Sequence, residues 1–297
     1  MHTSNADFCL SNLFNVEGWV CVVTGGGTGI GLMIAQTFAN NGAKVYITSR
    51  RKDVLEKTAQ YWGSSLQHPH GQLIPLQCDI TSKDSIQSLV QDVQKHEDHV
   101  DLLVNNAGVV GEYTCTDKIE GVENVSKELF DEGMAGWENV YRTNVIGYFF
   151  ITTAFLPLLQ AASARKRFSR TASVINVSSI AGITRDAQYH YSYNASKAAA
   201  IHLSTLLAQE LRKPTIQVRV NNIAPGSFPS EMAEGSSDAA NKSEIAAEYD
   251  YGEKKGIPAG RPGRDEDMAQ AVLMLACNQY IYGQTLVVDG GYLLDHP

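Results

Sequence analysis

A tyrosine and a lysine four residues apart form the pattern in this sequence best suited to chemistry. Tyr193 and Lys197 enclose Asn194-Ala195-Ser196, and this spacing places both side chains on one face of a helix. A free phenol has a pKa of about 10, which a nearby lysine cation lowers by favouring the phenolate. Ser179, upstream of the pair, would hydrogen-bond the reacting oxygen. The pattern predicts a proton donor with its activator, although solvated helices also carry such pairs by chance.

A glycine-rich turn near the start of the chain indicates a second function. An apolar, β-branched run at 19–24 predicts a buried strand, and 32–39 has helical periodicity. A strand, a glycine turn and a helix in this order are typical of a dinucleotide site, because glycines let the backbone approach the pyrophosphate at the helix N-terminus. The alternative is a flexible turn without a ligand. The candidate cofactor residues of this turn are Gly25, Gly27, Thr28, Gly29, Ile30 and Gly31.

The end of the second predicted strand indicates which dinucleotide would bind. An NAD site needs a carboxylate about 20 residues past the glycines, to accept hydrogen bonds from the ribose 2′-hydroxyl. This chain has Ser49 there, followed by Arg50. A guanidinium and a hydroxyl suit a 2′-phosphate. We therefore predict NADP(H), with Ser49 and Arg50 on the 2′-phosphate. The alternative is an exposed basic helix start, since Arg51, Lys52 and Lys57 follow.

The elements that must position these residues alternate from end to end of the chain. Apolar strands and helical segments follow one another without a linker or an internal repeat, in a chain of 297 residues. This order predicts an α/β fold: a single doubly wound Rossmann domain with helices on both faces of a parallel sheet. The predicted boundaries are an N-terminal extension over 1–16 and a domain over 17–297. The net charge of −8 argues against nucleic-acid and anionic membrane partners.

With these motifs the chain resembles the short-chain dehydrogenase/reductase family, of the Tyr-x-x-x-Lys type, over about residues 17–294. The resemblance implies that Asn144 holds a water in a proton relay, and that Lys197 also holds the nicotinamide ribose. It adds the remaining cofactor contacts, which follow three further strands of the sheet: Asp79, Ile80, Asn106, Ala107, Gly108, Pro225, Gly226, Phe228 and Ser230. It also implies a homodimer or a homotetramer.

Within the family, residues 224–230 and 191–199 are similar to the NADPH-dependent β-ketoacyl reductase of the rhamnolipid pathway. The implied activity is reduction of a 3-oxo or related ketone, with Tyr193 as general acid. Two alternatives remain open. One is a polyol or secondary-alcohol dehydrogenase that works oxidatively. The other is a nucleotide-binding sensor without turnover, which predicts decay of the catalytic set, whereas Asn144, Ser179, Tyr193 and Lys197 are all present.

Two departures from the family pattern concern the catalytic region. Thirteen residues separate Ser179 from Tyr193, where the family usually has twelve, so Ser178 is the alternative serine. Tyr189 and Tyr191 lack a lysine four residues on, and we expect them to be wall or packing residues. The stretch 111–136 is longer and more acidic than usual. We interpret it as a surface insertion near the mouth of the site.

The resemblance implies a mobile lid over about 228–258, and substrate choice is expected to depend on this lid and on the loops at 109–116 and 180–191. The aromatic and aliphatic residues of these segments suggest a largely apolar pocket: Tyr113, Ile183, Tyr189, Phe228 and Met232.

The remaining signals are weak or negative. Five cysteines without a Cys-x-x-Cys spacing indicate reduced thiols, and with the lack of a secretory signal they favour a cytoplasmic protein. His68, His70, His96 and His99 have no cysteine or paired carboxylate to complete a metal site, so they are expected to be solvated. The basic cluster 165–170 is expected to be a solvated loop. No apolar run of 18 residues exists, so no transmembrane helix is expected.

Overall fold

The computed structural model describes residues 4–165, 170–243 and 251–297. Its centre is a sheet of seven parallel strands in the order β3-β2-β1-β4-β5-β6-β7. This architecture confirms the predicted fold class. The strands are β1 (Val20–Thr24), β2 (Lys44–Ser49), β3 (Gln72–Gln77), β4 (Leu102–Asn105), β5 (Ser173–Val177), β6 (Arg219–Pro225) and β7 (Thr285–Val288).

The central strands are buried along their whole length because helices cover both faces of the sheet. Every residue of β1, β4, β5 and β6 is buried, as expected for parallel strands with apolar side chains on both sides. The chain reverses its direction of travel across the sheet between β1 and β4, which lie side by side. In doubly wound folds, ligands bind at the carboxyl ends of the strands at this switch point.

Twelve α-helices connect and flank the strands within the described residues. Helices α2 and α11 cover one face of the sheet, and α4, α7 and α8 cover the other. The helices are α1 (Leu10–Leu13), α2 (Gly29–Asn40), α3 (Lys52–Gly63), α4 (Lys83–Gln94), α5 (Val122–Phe130), α6 (Met134–Tyr141), α7 (Gly147–Ala164), α8 (Tyr191–Leu211), α9 (Glu231–Glu234), α10 (Tyr251–Lys255), α11 (Asp265–Cys277) and α12 (Tyr292–Asp295).

Helices α6 and α7 join through a π-helical turn, Arg142–Ile146, into one stretch of helix, Met134–Ala164. By length and composition alone this stretch is a candidate membrane span, but buried core helices meet the same criteria. Tyr148, Ile151 and Phe155 on it are buried among the side chains of the sheet. The π turn is relevant to the site, because such turns often occur at functional positions.

The predicted insertion at 111–136 contains the whole of helix α5, which has no buried residue, and the start of α6. The carboxylate of Glu112 accepts the backbone N–H of Gly133 at 3.2 Å, and its backbone carbonyl lies 2.9 Å from Nδ1 of His190. The insertion therefore contacts the residue that precedes α8, the helix that carries Tyr193.

Two expectations about polar residues away from the cleft need correction. His99 is buried rather than solvated, between the carboxylates of Asp98 and Asp101 at 2.8 and 3.4 Å. Its hydrogen bond with Asp101 raises the pKa of the imidazole, against the effect of burial. In the basic cluster, Arg165 pairs with Asp98 and Arg170 donates to backbone carbonyls of the N-terminal segment, while 166–169 lie outside the described residues. The two described arginines are therefore anchored.

All five cysteines, each in the described part of the chain, are free thiols, as predicted. Cys21, Cys78 and Cys277 are buried, whereas Cys9 is exposed.

Candidate active site

One cleft at the carboxyl ends of the strands brings most of the predicted site residues together. Fourteen predicted residues line it: Gly25, Thr28, Gly29, Ile30, Ser49, Arg50, Asp79, Ile80, Asn106, Ala107, Gly108, Tyr193, Lys197 and Ser230. They come from six separate segments of the chain, which the parallel sheet brings together at the carboxyl ends of its strands.

The glycine turn approaches its neighbours so closely that side chains would not fit. A Cβ on Gly25 would lie 2.8 Å from Nδ2 of Asn106, and one on Gly31 would lie 2.1 Å from the carbonyl oxygen of Gly25. Gly29 begins α2 with a φ of +51°, in the left-handed region that favours glycine. The turn thus presents bare backbone and a helix N-terminus to the cleft, which fits the diphosphate of a dinucleotide.

The floor of the cleft is fixed by hydrogen bonds between the ends of β1 and β4. Oγ1 of Thr24 accepts the backbone N–H groups of Asn106 and Ala107 at 2.9 and 3.1 Å. The side-chain amide of Asn106 donates to the carbonyl of Thr24 at 3.0 Å. Beside this floor, Oδ1 of Asp79 accepts the backbone N–H and the hydroxyl of Thr81 at 2.9 and 2.8 Å. These bonds make the floor rigid.

At the end of β2 the cleft is basic, but its arginines differ in their partners. Arg50 is exposed and lines the cleft, whereas Arg51 lies 2.6 Å from the carboxylate of Glu231. The hydroxyl of Ser49 accepts the backbone N–H of Arg51 at 3.2 Å. Burial raises the pKa of Glu231, but hydrogen bonds from Arg51 and Ser237 outweigh burial and leave that pKa below its ordinary value. Glu231 is therefore a carboxylate at neutral pH.

The structure distinguishes the two candidate serines. The hydroxyl of Ser178 donates to the carbonyl of Ile223 at 3.2 Å and accepts from Asn222 at 2.7 Å, which ties it to β6. Burial raises the pKa of the Tyr193 phenol, and a side-chain hydrogen bond with Ser179 partly offsets that rise. This effect favours Ser179 as the partner of Tyr193, whereas Ser178 is the one of the two serines that lines the cleft.

Lys197 is buried beneath the tyrosine. Its Nζ donates to the carbonyl of Val177 at 3.0 Å and lies 5.5 Å from the centre of the Tyr193 ring. Burial lowers the pKa of Lys197 to about 7. The sequence predicts that this lysine lowers the pKa of the Tyr193 phenol, but the groups of the protein do not have this effect. Burial raises that pKa, and only the hydrogen bond with Ser179 lowers it.

Asn144 connects the π-helical turn to the cleft. Its amide nitrogen donates to the carbonyl of Val109 at 2.9 Å and to the hydroxyl of Ser196 at 3.0 Å, and its oxygen accepts the N–H of Val109. A Cβ on Gly108 would lie 3.2 Å from Asn144 Oδ1 and 3.5 Å from Lys197 Nζ. Asn144 therefore holds the segment after β4 against α8, next to the lysine.

Five predicted cofactor residues do not line the cleft: Gly27, Gly31, Pro225, Gly226 and Phe228. Gly27 and Gly31 belong to the glycine turn but lie behind the surface that faces the cleft. Phe228 is the clearest disagreement, because it is buried in the core and its ring packs on Gly263, where a Cβ would lie 2.3 Å from it. Gly263 has no side chain, so the ring fills that space rather than the cleft or the substrate pocket.

An aromatic group lies where the insertion meets the start of α8. The rings of Tyr113 and Tyr189 contact edge to face at 5.2 Å, and His190 lies 5.3 Å from Tyr113. The phenol of Tyr189 donates to Asp117, and its carbonyl accepts the N–H of Thr114 at 2.8 Å. Tyr189 thus packs between the insertion and the start of α8, and it is not among the residues that line the cleft.

Several residues of the cleft were not predicted from the sequence: Thr48, Cys78, Thr81, Thr143 and Val177, together with the ion pair of Arg51 and Glu231. The position of Thr81 could have been predicted, because a threonine two residues after an aspartate commonly hydrogen-bonds the aspartate side chain. The ion pair could not have been predicted, because its partners are 180 residues apart in the sequence.

The parallel sheet, the bare glycine turn at its switch point and the tyrosine paired with a buried lysine define an oxidoreductase that uses a nicotinamide dinucleotide. The comparisons with known proteins give the family.

The family described as short chain dehydrogenase matches residues 19–241. A short-chain dehydrogenase/reductase of Diaporthe leptostromiformis, PhomF, is 37% identical over 293 residues, which cover 97% of this chain and 95% of the relative. The rhamnolipids biosynthesis 3-oxoacyl-acyl-carrier-protein reductase of Pseudomonas aeruginosa is 34% identical and covers 95% of this chain and 98% of its own. The solved Pseudomonas aeruginosa RhlG/NADP active-site complex superimposes with a TM-score of 0.75 at 32% identity and covers 94% of this chain and 98% of that one.

The chain belongs to the short-chain dehydrogenase/reductase family. It is an oxidoreductase of carbonyl and alcohol groups, and the similarity to the rhamnolipid-pathway reductase is confirmed.

Proposed function

We propose that this protein is an NADPH-dependent reductase of ketones of the 3-oxoacyl type. The observation that carries the proposal is the meeting, in one cleft, of Tyr193 with the basic end of β2. The relative from Pseudomonas aeruginosa, a 3-oxoacyl-acyl-carrier-protein reductase at 34% identity, supports this substrate class. The solved NADP complex of a 32% identical protein supports the cofactor.

The cofactor preference follows from charge at the end of β2. Arg50 is exposed and faces the cleft, so it can pair with a 2′-phosphate. The nearby carboxylate of Glu231 is engaged by Arg51. The residues present therefore fit a phosphorylated dinucleotide, with Ser49 and Arg50 at the 2′-phosphate as the sequence predicts.

In the reductive direction, Tyr193 would donate its proton to the carbonyl oxygen while Ser179 hydrogen-bonds the same oxygen. When bound, the reduced nicotinamide supplies the hydride that the carbonyl carbon receives, so the ketone becomes an alcohol. Lys197 would stabilise the phenolate left behind when its amine is protonated, because Nζ lies 5.5 Å from the centre of the Tyr193 ring. Asn144 would hold the cleft wall at Val109 against Ser196 of α8, the neighbour of the lysine.

Initial rates with NADPH and NADH against a panel of ketones, including 3-oxoacyl esters and cyclic diketones, test the proposal. We expect turnover of 3-oxoacyl esters with NADPH and a much lower kcat/KM with NADH. Equal use of the two cofactors would refute the NADPH preference, and turnover confined to secondary alcohols would favour the oxidative alternative. Nucleotide binding without turnover of any substrate would favour the sensor.

We further propose a cytoplasmic homodimer or homotetramer. The outer sides of α7 and α8 expose Phe149 and Leu206 by 41% and 54%, and Ile146, three residues before Phe149, is exposed by 47%. Sedimentation velocity of the wild type and of the double variant Phe149→Ser, Leu206→Ser tests the assembly. We expect the variant to dissociate, and a monomeric wild type would overturn the proposal.

A further inference from the structure

We propose that Glu17, His68 and His70 form a binding site for a divalent transition metal, best suited to Zn²⁺. One ligand atom from each of these side chains lies within 4.8 Å of those from the other two. The three residues precede β1 and β3, so they lie at the amino ends of the strands, opposite the cleft. In the sequence no carboxylate lies near the two histidines, because Glu17 is 53 residues from His70.

The two imidazoles are held as a pair before any ion binds. Pro69 between them fixes one backbone angle. The Nδ1 atom of His68 accepts the backbone N–H of His70 at 3.2 Å, and the two ring centroids are 5.5 Å apart. The ring of His68 also lies against Gly42, where a Cβ would come within 2.8 Å of it. A side chain at that position would displace the ring.

The carboxylate completes the donor set. An oxygen of Glu17 lies 2.8 Å from Nδ1 of His70, so the two already face each other. Two imidazole nitrogens and one carboxylate oxygen are ligands that Zn²⁺ accepts, and they leave a fourth position for water. Ligand atoms in a tetrahedral zinc site lie roughly 3.4 Å apart, given bonds of about 2.1 Å. Only small side-chain rotations would therefore close the site.

The position of the site indicates a structural role. An ion there would join the segment before β1 to the loop before β3, while Tyr193 lies at the other end of the sheet. The side chains of Glu17 and His70 are 49% and 68% exposed, so an ion can reach them from solvent. Binding to the folded state alone would raise the midpoint temperature of unfolding. Turnover should stay unchanged.

Equilibrium dialysis of the full-length protein against Zn²⁺, followed by metal analysis, tests the proposal. The protein should carry Cys9→Ser, because this exposed thiol could bind zinc on its own. We expect one Zn²⁺ per chain and a higher unfolding temperature with Zn²⁺ than after chelation. Glu17→Gln and His70→Asn should each weaken Zn²⁺ binding by at least roughly 10-fold. Loss of an outer-shell partner of a ligand already costs about that much affinity, and these two residues are ligands themselves.

The matched control is His96→Asn, which removes another exposed histidine and should bind Zn²⁺ like the parent. Undiminished binding in Glu17→Gln and His70→Asn would overturn the site, as would the absence of binding at micromolar Zn²⁺. Ketone reduction should be the same with and without chelator. Loss of activity on chelation would overturn the structural role.

Discussion

The guanidinium of Arg51 lies 2.6 Å from the carboxylate of Glu231, and this ion pair links the start of α3 to the segment after β6. Both residues line the cleft next to Arg50. A carboxylate here repels a phosphate and also holds one of the two arginines that could bind it. The net attraction for a 2′-phosphate therefore depends on the two arginines and on the carboxylate of Glu231 that offsets them.

Replacing Glu231 by glutamine should tighten NADPH binding, because Arg51 is released and a negative charge is removed. The ion pair is partly exposed, so we expect an effect of at most about 1 kcal/mol, or a few-fold in Kd. Fluorescence titration with NADPH and NADH measures it, and the change should be confined to NADPH. Glu234→Gln, an exposed neighbour on the same helix, is the control. Weaker NADPH binding in Glu231→Gln would contradict this account.

Replacing Arg50 by alanine should lower kcat/KM for NADPH by roughly 10- to 100-fold, because a hydrogen bond to a charged group contributes about 1.5–3 kcal/mol. The kcat/KM for NADH should change little. Lys57→Ala removes an exposed basic residue from the same region and tests the alternative of a general basic surface. Equal losses in the two variants would favour that alternative.

The sequence predicted the parts of the site that depend on local order along the chain. The glycine turn between β1 and α2, and the tyrosine and lysine one turn apart on α8, are local patterns, so their placement at the cleft followed from the parallel sheet. Ser179 could be separated from Ser178 only in three dimensions, because Asn222 and Ile223 on β6 bind the latter. No local sequence pattern links Ser178 to these distant partners.

Phe228 shows a different limit of sequence reasoning. A family motif placed this residue beside the cofactor, whereas the structure buries its ring on Gly263. An aromatic residue after a strand can turn to either side of the loop, and the space left by a distant glycine decides which. Asn144 shows the reverse case, because the predicted residue is at the site but its hydrogen bonds reveal that it also clamps Val109 to Ser196.

The pH dependence of stability should reveal Lys197. Burial lowers its pKa to about 7 from an unfolded value of 10.5, so between these values the unfolded chain binds more protons than the folded one. The resulting destabilisation is complete below about pH 7 and disappears as the pH rises towards 10.5. Lys197→Met should therefore flatten the rise of unfolding free energy over this window.

Urea denaturation at pH 7 and at pH 9.5 measures this difference. Lys52→Met, which removes an exposed lysine, should keep the pH dependence of the wild type. Parallel curves for Lys197→Met and the wild type would show that Lys197 is not desolvated.

Gly31→Ala should destabilise the fold and abolish dinucleotide binding. The new Cβ would lie 2.1 Å from the carbonyl oxygen of Gly25, a backbone atom that cannot yield without moving the turn. Overpacking of this kind typically costs about 1–3 kcal/mol of unfolding free energy. Gly63→Ala is the matched control, because its Cβ would meet only Leu73 at 4.0 Å. Urea denaturation and nucleotide titration should separate the two variants, and equal behaviour would contradict the close approach.

The most direct test of the central claim is the single-turnover rate of ketone reduction by Tyr193→Phe with NADPH bound. General acid catalysis contributes at least about 10²-fold, so the account predicts a loss of that size with NADPH affinity unchanged. Tyr191→Phe, two residues earlier on the same helix, should retain the wild-type rate. A rate for Tyr193→Phe within a few-fold of the wild type would contradict the assignment of this phenol as the proton donor.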